Sequence, residues 1–260
     1  MTSPKKYGKP PINVVVVHGG PGAVGEMAPV AEELCSDFGV LEPFQTKTTV
    51  DGQVEEFAFA IENHASLPAT LIGYSWGAWL VFMLAARFPS LVKKLVLVSS
   101  GPFEDHYTSI IMQTRMKNLN KKDRLRVEQL LATMDSNLTQ DKNEAMEEFG
   151  SLITKADSYS PIPELEAHAE CQFEIYNSVW FEAAKMRKSG ELLEMGQKIK
   201  CPVVAIHGDV DPHPEEGVRL PLSKYVKDFK FILLDRCGHT PWIERFAREK
   251  FFEVLRNEIA

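Results

Sequence analysis

Nowhere does this chain carry an apolar run of membrane-spanning length. Val14-Val15-Val16-Val17 stops after four residues and runs straight into His-Gly-Gly-Pro-Gly, whereas a crossing helix needs about 20. No small-residue cleavage site follows it, so it does not read as a secretory signal either. Cysteine is sparse: Cys35, Cys171, Cys201 and Cys237 are scattered, without a C-x-x-C pair or zinc-like spacing. Free thiols in a reducing cytoplasm are the expectation, with no metal site and no disulfide framework. Positive charge is also in deficit. A net charge of −7 excludes nucleic acid or an anionic membrane surface as the main partner. No G-x-x-x-x-G-K-[ST] occurs, which removes the P-loop phosphate cradle, and no nucleotide cofactor is expected.

What is present is enough apolar material, 44% over 260 residues, for one substantial core with a smaller appended module. Ile12–Val17, Thr70–Gly73, Leu95–Val98, Pro202–Ile206 and Phe229–Leu234 are short continuous apolar runs. Strands buried on both faces of a parallel sheet read this way. Gly39–Phe44 is a sixth candidate, weakened by Pro43. Helical patterns lie between them at Glu26–Phe38, Val54–His64 and Ala78–Phe88, the last ended by Pro89. This alternation predicts an α/β fold, a doubly wound and mostly parallel sheet.

The alternation stops at Gly101-Pro102 and resumes at Lys200-Cys201-Pro202. Tyr107–Leu119, Asp123–Met134, Asn143–Ala156 and Pro163–Lys188 show helical periodicity only, which predicts an all-helical insertion. The division is therefore a core of residues 1–101 and 199–260 with a cap of residues 102–198. That insertion carries 12 Lys/Arg against 17 Asp/Glu; solvated helix faces account for the surplus, or some carboxylates face the site and favour a cationic group.

Gly73-Tyr74-Ser75-Trp76-Gly77 is the most informative motif. An apolar strand leads into it and an apolar helix follows, the context in which G-x-S-x-G projects a serine hydroxyl over a helix N-terminus. Serine needs a base to take its proton. Of seven histidines, His18 and His207 follow strands and brace loops, while His64, His106 and His168 lie in or beside helical segments. His213 sits in a Pro-rich loop. His239 follows the last strand and the flexible Cys237-Gly238, so it is the loop histidine that reaches the sheet edge. Cys237, two residues away, is expected near the site and sensitive to thiol reagents. The acid that orients the base falls at Asp211 or Asp209, with Asp211 favoured because it stands further out and Pro212 stiffens it; Glu104 or Asp105 is a lesser alternative. Trp76 supplies one oxyanion N–H and the glycine loop His18–Gly22 the other, from Gly20 or, failing that, Gly19.

These motifs, together with His207-Gly208-Asp209-Val210-Asp211-Pro212 and Gly238-His239-Thr240-Pro241-Trp242, resemble the alpha/beta hydrolase superfamily across the whole sheet. Pairing H-G-G-P-G with Ser-Trp-Gly is similar to proline iminopeptidases. The resemblance implies Ser75 as nucleophile, Asp211 as acid, His239 as base, Gly20 and Trp76 as oxyanion donors, and no cofactor. Iminopeptidases use cap carboxylates to hold a free amino group. Glu174 and Glu182, near Phe173, Tyr176, Trp180 and Phe181, match no motif for that role, and surface helix is the plainer reading. Such enzymes usually carry two strands before the glycine loop strand. Met1–Pro11 is poor strand material, so that sheet edge is expected to be trimmed. The expected activity is hydrolysis of a small ester or amide through an acyl-enzyme, on a small molecule or short peptide. Carboxylester, lactone and carbon–carbon bond hydrolysis remain alternatives, and so does an inert binding module.

Overall fold

The computed structural model describes residues 3–136, 142–165 and 170–260. Seven strands form one sheet: β1 (Lys5–Tyr7), β2 (Ile12–Val17), β4 (Gly39–Glu42), β5 (Ala69–Tyr74), β6 (Val92–Val98), β8 (Val203–Gly208) and β9 (Phe229–Leu234). Their order is β1-β4-β2-β5-β6-β8-β9. β1 runs antiparallel to β4, and every other pair is parallel. The five apolar runs and the Gly39 segment are all strands. The N-terminal edge is trimmed to one short strand, Lys5–Tyr7, formed by residues that read as poor strand material. It is tied down by Tyr7, whose hydroxyl donates to Glu42 at 2.7 Å.

The continuous valine and leucine runs are explained by what each residue buries. Val15, Val17, Leu71, Leu95, Leu97, Val203 and Ala205 pack on one side of the sheet. Their neighbours Val14, Val16, Ile72, Val96, Val98, Val204 and Ile206 pack on the other. Alternate side chains point to opposite faces, so a sheet covered on both must be apolar at every position. Helices α1 (Ala28–Leu34) and α10 (Arg248–Ile259) cover the second face; α2 (Val50–His64), α3 (Trp76–Arg87) and α9 (Glu216–Tyr225) cover the first. Trp76 through Ala86 are all buried, so α3 is a central helix without a polar side.

Between β6 and β8 lie α4 (Ser109–Asn118), α5 (Lys121–Asp135), α6 (Lys142–Asp157), α7 (Phe173–Ser189) and α8 (Glu191–Glu194). This stretch is not wholly helical. β7 (Glu170–Cys171) pairs antiparallel with β3 (Ala23–Val24), in the loop after β2. The helix expected from Pro163 begins at Phe173 instead, and residues 166–169, His168 among them, lie outside the described residues.

Candidate active site

Four loops leave the same, C-terminal end of the parallel strands: Val17 into His18, Tyr74 into Ser75, Gly208 into Asp209, and Leu234 into the segment bearing His239. Ser75 has φ 51° and ψ −113° and is the residue from which α3 starts. A side chain held at positive φ is strained, and close packing enforces it. A Cβ on Gly73 would strike the backbone of Gly77, and one on Gly77 would lie 2.5 Å from the carbonyl oxygens of Val17 and His18. Small residues at both positions let strand, turn and helix approach this closely. As the first helical residue, Trp76 has a backbone N–H with no partner inside the helix.

His239 Nδ1 donates to Asp211 Oδ2 at 2.7 Å. A carboxylate is acceptor-only, so the proton sits on Nδ1 and the Nε2 lone pair is left bare. The Asp211 side chain has no exposed surface. Burial opposes its charge, but His239, His213 and His207 hold the carboxyl well below the usual range. Burial likewise opposes a charged His239, and the Asp211 carboxylate more than offsets it, raising the imidazole above its ordinary value. Among the described residues the Ser75 hydroxyl takes no hydrogen-bond partner. Tyr74, its neighbour, ties the two loops together: its ring lies 5.1 Å from that of His239, and its hydroxyl shares a 2.9 Å hydrogen bond with Thr240 Oγ1.

The other sequence candidates fall as follows. Asp209 accepts from the Cys237 N–H at 3.0 Å and shapes the loop. Asp105 faces away, pairing with Arg187 at 3.3 Å. Gly20 has φ +24°. The Gly19 N–H is already donated to Glu26 Oε2 at 2.8 Å. Glu174 is exposed on α7. Glu182 accepts from the Val50 N–H at 2.7 Å, capping α2. Neither carboxylate joins the His239 cluster. Trp180 stacks between Trp79, at 5.7 Å and 5°, and Tyr176, at 6.1 Å and 8°. Cys237 corrects the thiol expectation: it has no exposure, and burial pushes its thiol far above the range in which a thiolate forms.

Sequence reasoning missed four groups. His213 donates its Nδ1–H to Asp211 Oδ1 at 2.8 Å; its place two residues after the acid was the signal. Arg115 on α4 grips Asp157 at the end of α6, with Nε 2.8 Å from Oδ1 and Nη2 2.6 Å from Oδ2. The Asp157 carbonyl accepts the His239 backbone N–H at 2.9 Å. Asp157, His213 and His239 place possible ligand atoms within 4.8 Å of one another, but the Asp157 carboxylate is already the partner of Arg115. Glu244 accepts from three backbone N–H groups, those of Tyr159 (2.7 Å), Ser160 (2.7 Å) and Gly238 (3.0 Å).

Glu26 is the fourth. Burial raises its carboxyl from 4.5 to about 7, against the opposing influence of His239 and the Gly19 N–H. A folded-state value above the unfolded one contributes stability that is complete below 4.5 and lost as pH rises through about 7. Glu26→Gln should therefore melt higher than the parent at about pH 8, with the gain fading toward about pH 4. Thermal unfolding at the two pH values checks it, and equal gains at both would contradict it.

A family model described as the alpha/beta hydrolase fold matches residues 12–245. The solved structure of VinJ superposes with a TM-score of 0.73 at 18% identity, covering 98% of this chain and 93% of that one. A proline iminopeptidase from Mycobacterium smegmatis gives 0.62 at 17%, covering 98% and 93%. Ethanol acetyltransferase 1 of Cyberlindnera fabianii is 28% identical over 111 residues, 43% of this chain; that stretch spans 31% of the acetyltransferase. No helix among the described residues is long and apolar enough to cross a membrane.

Proposed function

The chain belongs to the alpha/beta hydrolase fold family, and from that premise we propose that it is a serine hydrolase cleaving small esters through an acyl-enzyme. The observation carrying this reading is the 2.7 Å bond from His239 Nδ1 to the buried Asp211 carboxylate, at the sheet end where Ser75 is held at φ 51°. His239 Nε2 takes the Ser75 proton as Oγ attacks the substrate carbonyl. The N–H groups of Gly20 and Trp76 receive the oxyanion. Collapse of the tetrahedral adduct expels the alcohol, which leaves with the proton from His239. Water then attacks the acyl-serine with His239 again as base, and the acid is released.

Residues 102–198 serve in this reading as a cap that excludes water, and the Trp79–Trp180–Tyr176 stack offers an apolar wall to an acyl group. Esters are favoured over N-terminal prolyl substrates because Glu182 is engaged at α2 and Glu174 faces solvent. A fluorophosphonate probe tests the nucleophile: one covalent adduct on Ser75 is expected, and an unmodified Ser75 would sink the proposal. p-Nitrophenyl acetate and butyrate should be hydrolysed faster than proline-p-nitroanilide.

The base must be neutral to act, and Asp211 raises its pKa above 6.5. kcat/KM should therefore climb with pH through an apparent pKa on the alkaline side of 6.5. An acid limb centred below that value would contradict the assignment of His239.

A further inference from the structure

We propose that His213 is a positioning residue for the catalytic pair: it holds Asp211 by a second imidazole hydrogen bond and so limits how basic His239 becomes. The proposal deepens the hydrolase reading and rests on it for its kinetic consequence. Asp211 is shared. Oδ2 accepts from His239 Nδ1 at 2.7 Å, while Oδ1 accepts both the backbone N–H (2.9 Å) and the Nδ1–H (2.8 Å) of His213. The two rings stack at 4.4 Å and 26°.

His213 acts as a neutral donor in this arrangement. Its Nδ1 faces a carboxylate, which fixes the proton there. Burial drives its pKa down to about 4, with His239 and Arg115 adding to the effect and Asp211 opposing it. A second cation stacked on His239 would repel the imidazolium that forms during turnover; a neutral ring does not. His207 closes the arrangement from β8, donating Nε2–H to the His213 carbonyl at 2.9 Å and lying 3.4 Å from Asp211 Oδ2. The remaining groups facing the pair are the Arg115–Asp157 ion pair from α4 and α6, Glu26 from the turn between β3 and α1, and Tyr74 from β5.

The sign of the effect follows. Each N–H on Oδ1 draws off carboxylate charge that would otherwise stabilise protonated His239. Without the His213 donor, Asp211 binds the imidazolium more strongly and the base stays protonated to higher pH. His213→Phe keeps a stacking ring and loses the donor. His213→Asn loses the ring but places an amide N–H near the Nδ1 position.

The measurement is the acid limb of kcat/KM, paired with the NMR titration of His239. H213F should shift both upward by about half to one pH unit. H213N should stay close to the parent. An H213F limb unchanged from the parent, or H213N shifting as far as H213F, would overturn the proposal. The titration needs no turnover, so it decides the matter even if the hydrolase reading fails. In the unaltered protein, ring nitrogen shifts should show His213 neutral and protonated at Nδ1 down to about pH 5. Protonation of His213 near the ordinary imidazole value would also overturn it, whether or not the variants fold.

Discussion

Ser75→Ala is expected to lower kcat/KM for p-nitrophenyl butyrate by about 10⁴- to 10⁶-fold, to a residual rate set by the oxyanion donors and binding alone. The size of the loss follows from the chemistry: without Oγ there is no acyl-enzyme, and His239 has no positioned proton to take. Asp211→Asn should cost about 10⁴-fold, for a reason visible in its two partners. The carboxylate accepts from His239 Nδ1 on one oxygen and from His213 on the other. An asparagine has one acceptor oxygen, so its NH₂ group must face one of two donors. If it faces His239, the ring takes the wrong tautomer and its bare nitrogen turns from the serine. In the proposed mechanism nucleophile, base and acid act as a unit, so the double variant should be no slower than Ser75→Ala by itself. Additive losses, or an alanine variant retaining more than about a hundredth of the activity, would remove Ser75 from the mechanism.

Glu244→Leu is expected to lower stability by about 2–3 kcal/mol and the melting temperature by several degrees. Glu244 is fully buried, and its carboxylate takes the N–H groups of Tyr159, Ser160 and Gly238. Leucine fills the space and accepts nothing, leaving the buried Gly238 N–H and the part-buried N–H groups of Tyr159 and Ser160 unpaired, at about 1–3 kcal/mol for a fully buried donor. The damage is local to the base as well. Gly238 precedes His239, whose own N–H is donated to the Asp157 carbonyl at 2.9 Å. A Cβ on Gly238 would collide with that same carbonyl. The end of α6 and the histidine loop are thus fastened together, and losing Glu244 should loosen His239 and reduce turnover beyond what unfolding explains. Glu244→Gln, which keeps one acceptor oxygen, should fall between. Thermal melting with parallel ester hydrolysis measures both effects, and a leucine variant melting within about two degrees of the parent would refute the argument.

Strand positions were legible because burial on both faces demands apolar residues at each step, as Val14–Val17 and Leu95–Val98 display. Ser75 was legible because a strained turn between strand and helix needs Gly73 and Gly77 beside it, all within five residues. Lys5–Tyr7 was not, since a short edge strand with exposed lysines has no apolar signature and is recruited by its partner β4. The interruption of the helical segment by β7 depends likewise on β3, more than a hundred residues earlier in the chain.

By itself, the sequence determined what short-range sterics and apolar periodicity encode: the parallel sheet, the buried α3, the turn at Ser75 and the loop carrying His239. Only the tertiary structure decided which groups share charge. The pairing of Arg115 with Asp157, the three N–H groups gathered by Glu244, the inert burial of Cys237 and the double claim of His213 and His239 on Asp211 join distant segments or depend on burial. Hydrogen-bond partners and the exclusion of water are properties of the assembled end of the sheet, and no local pattern of residues records them.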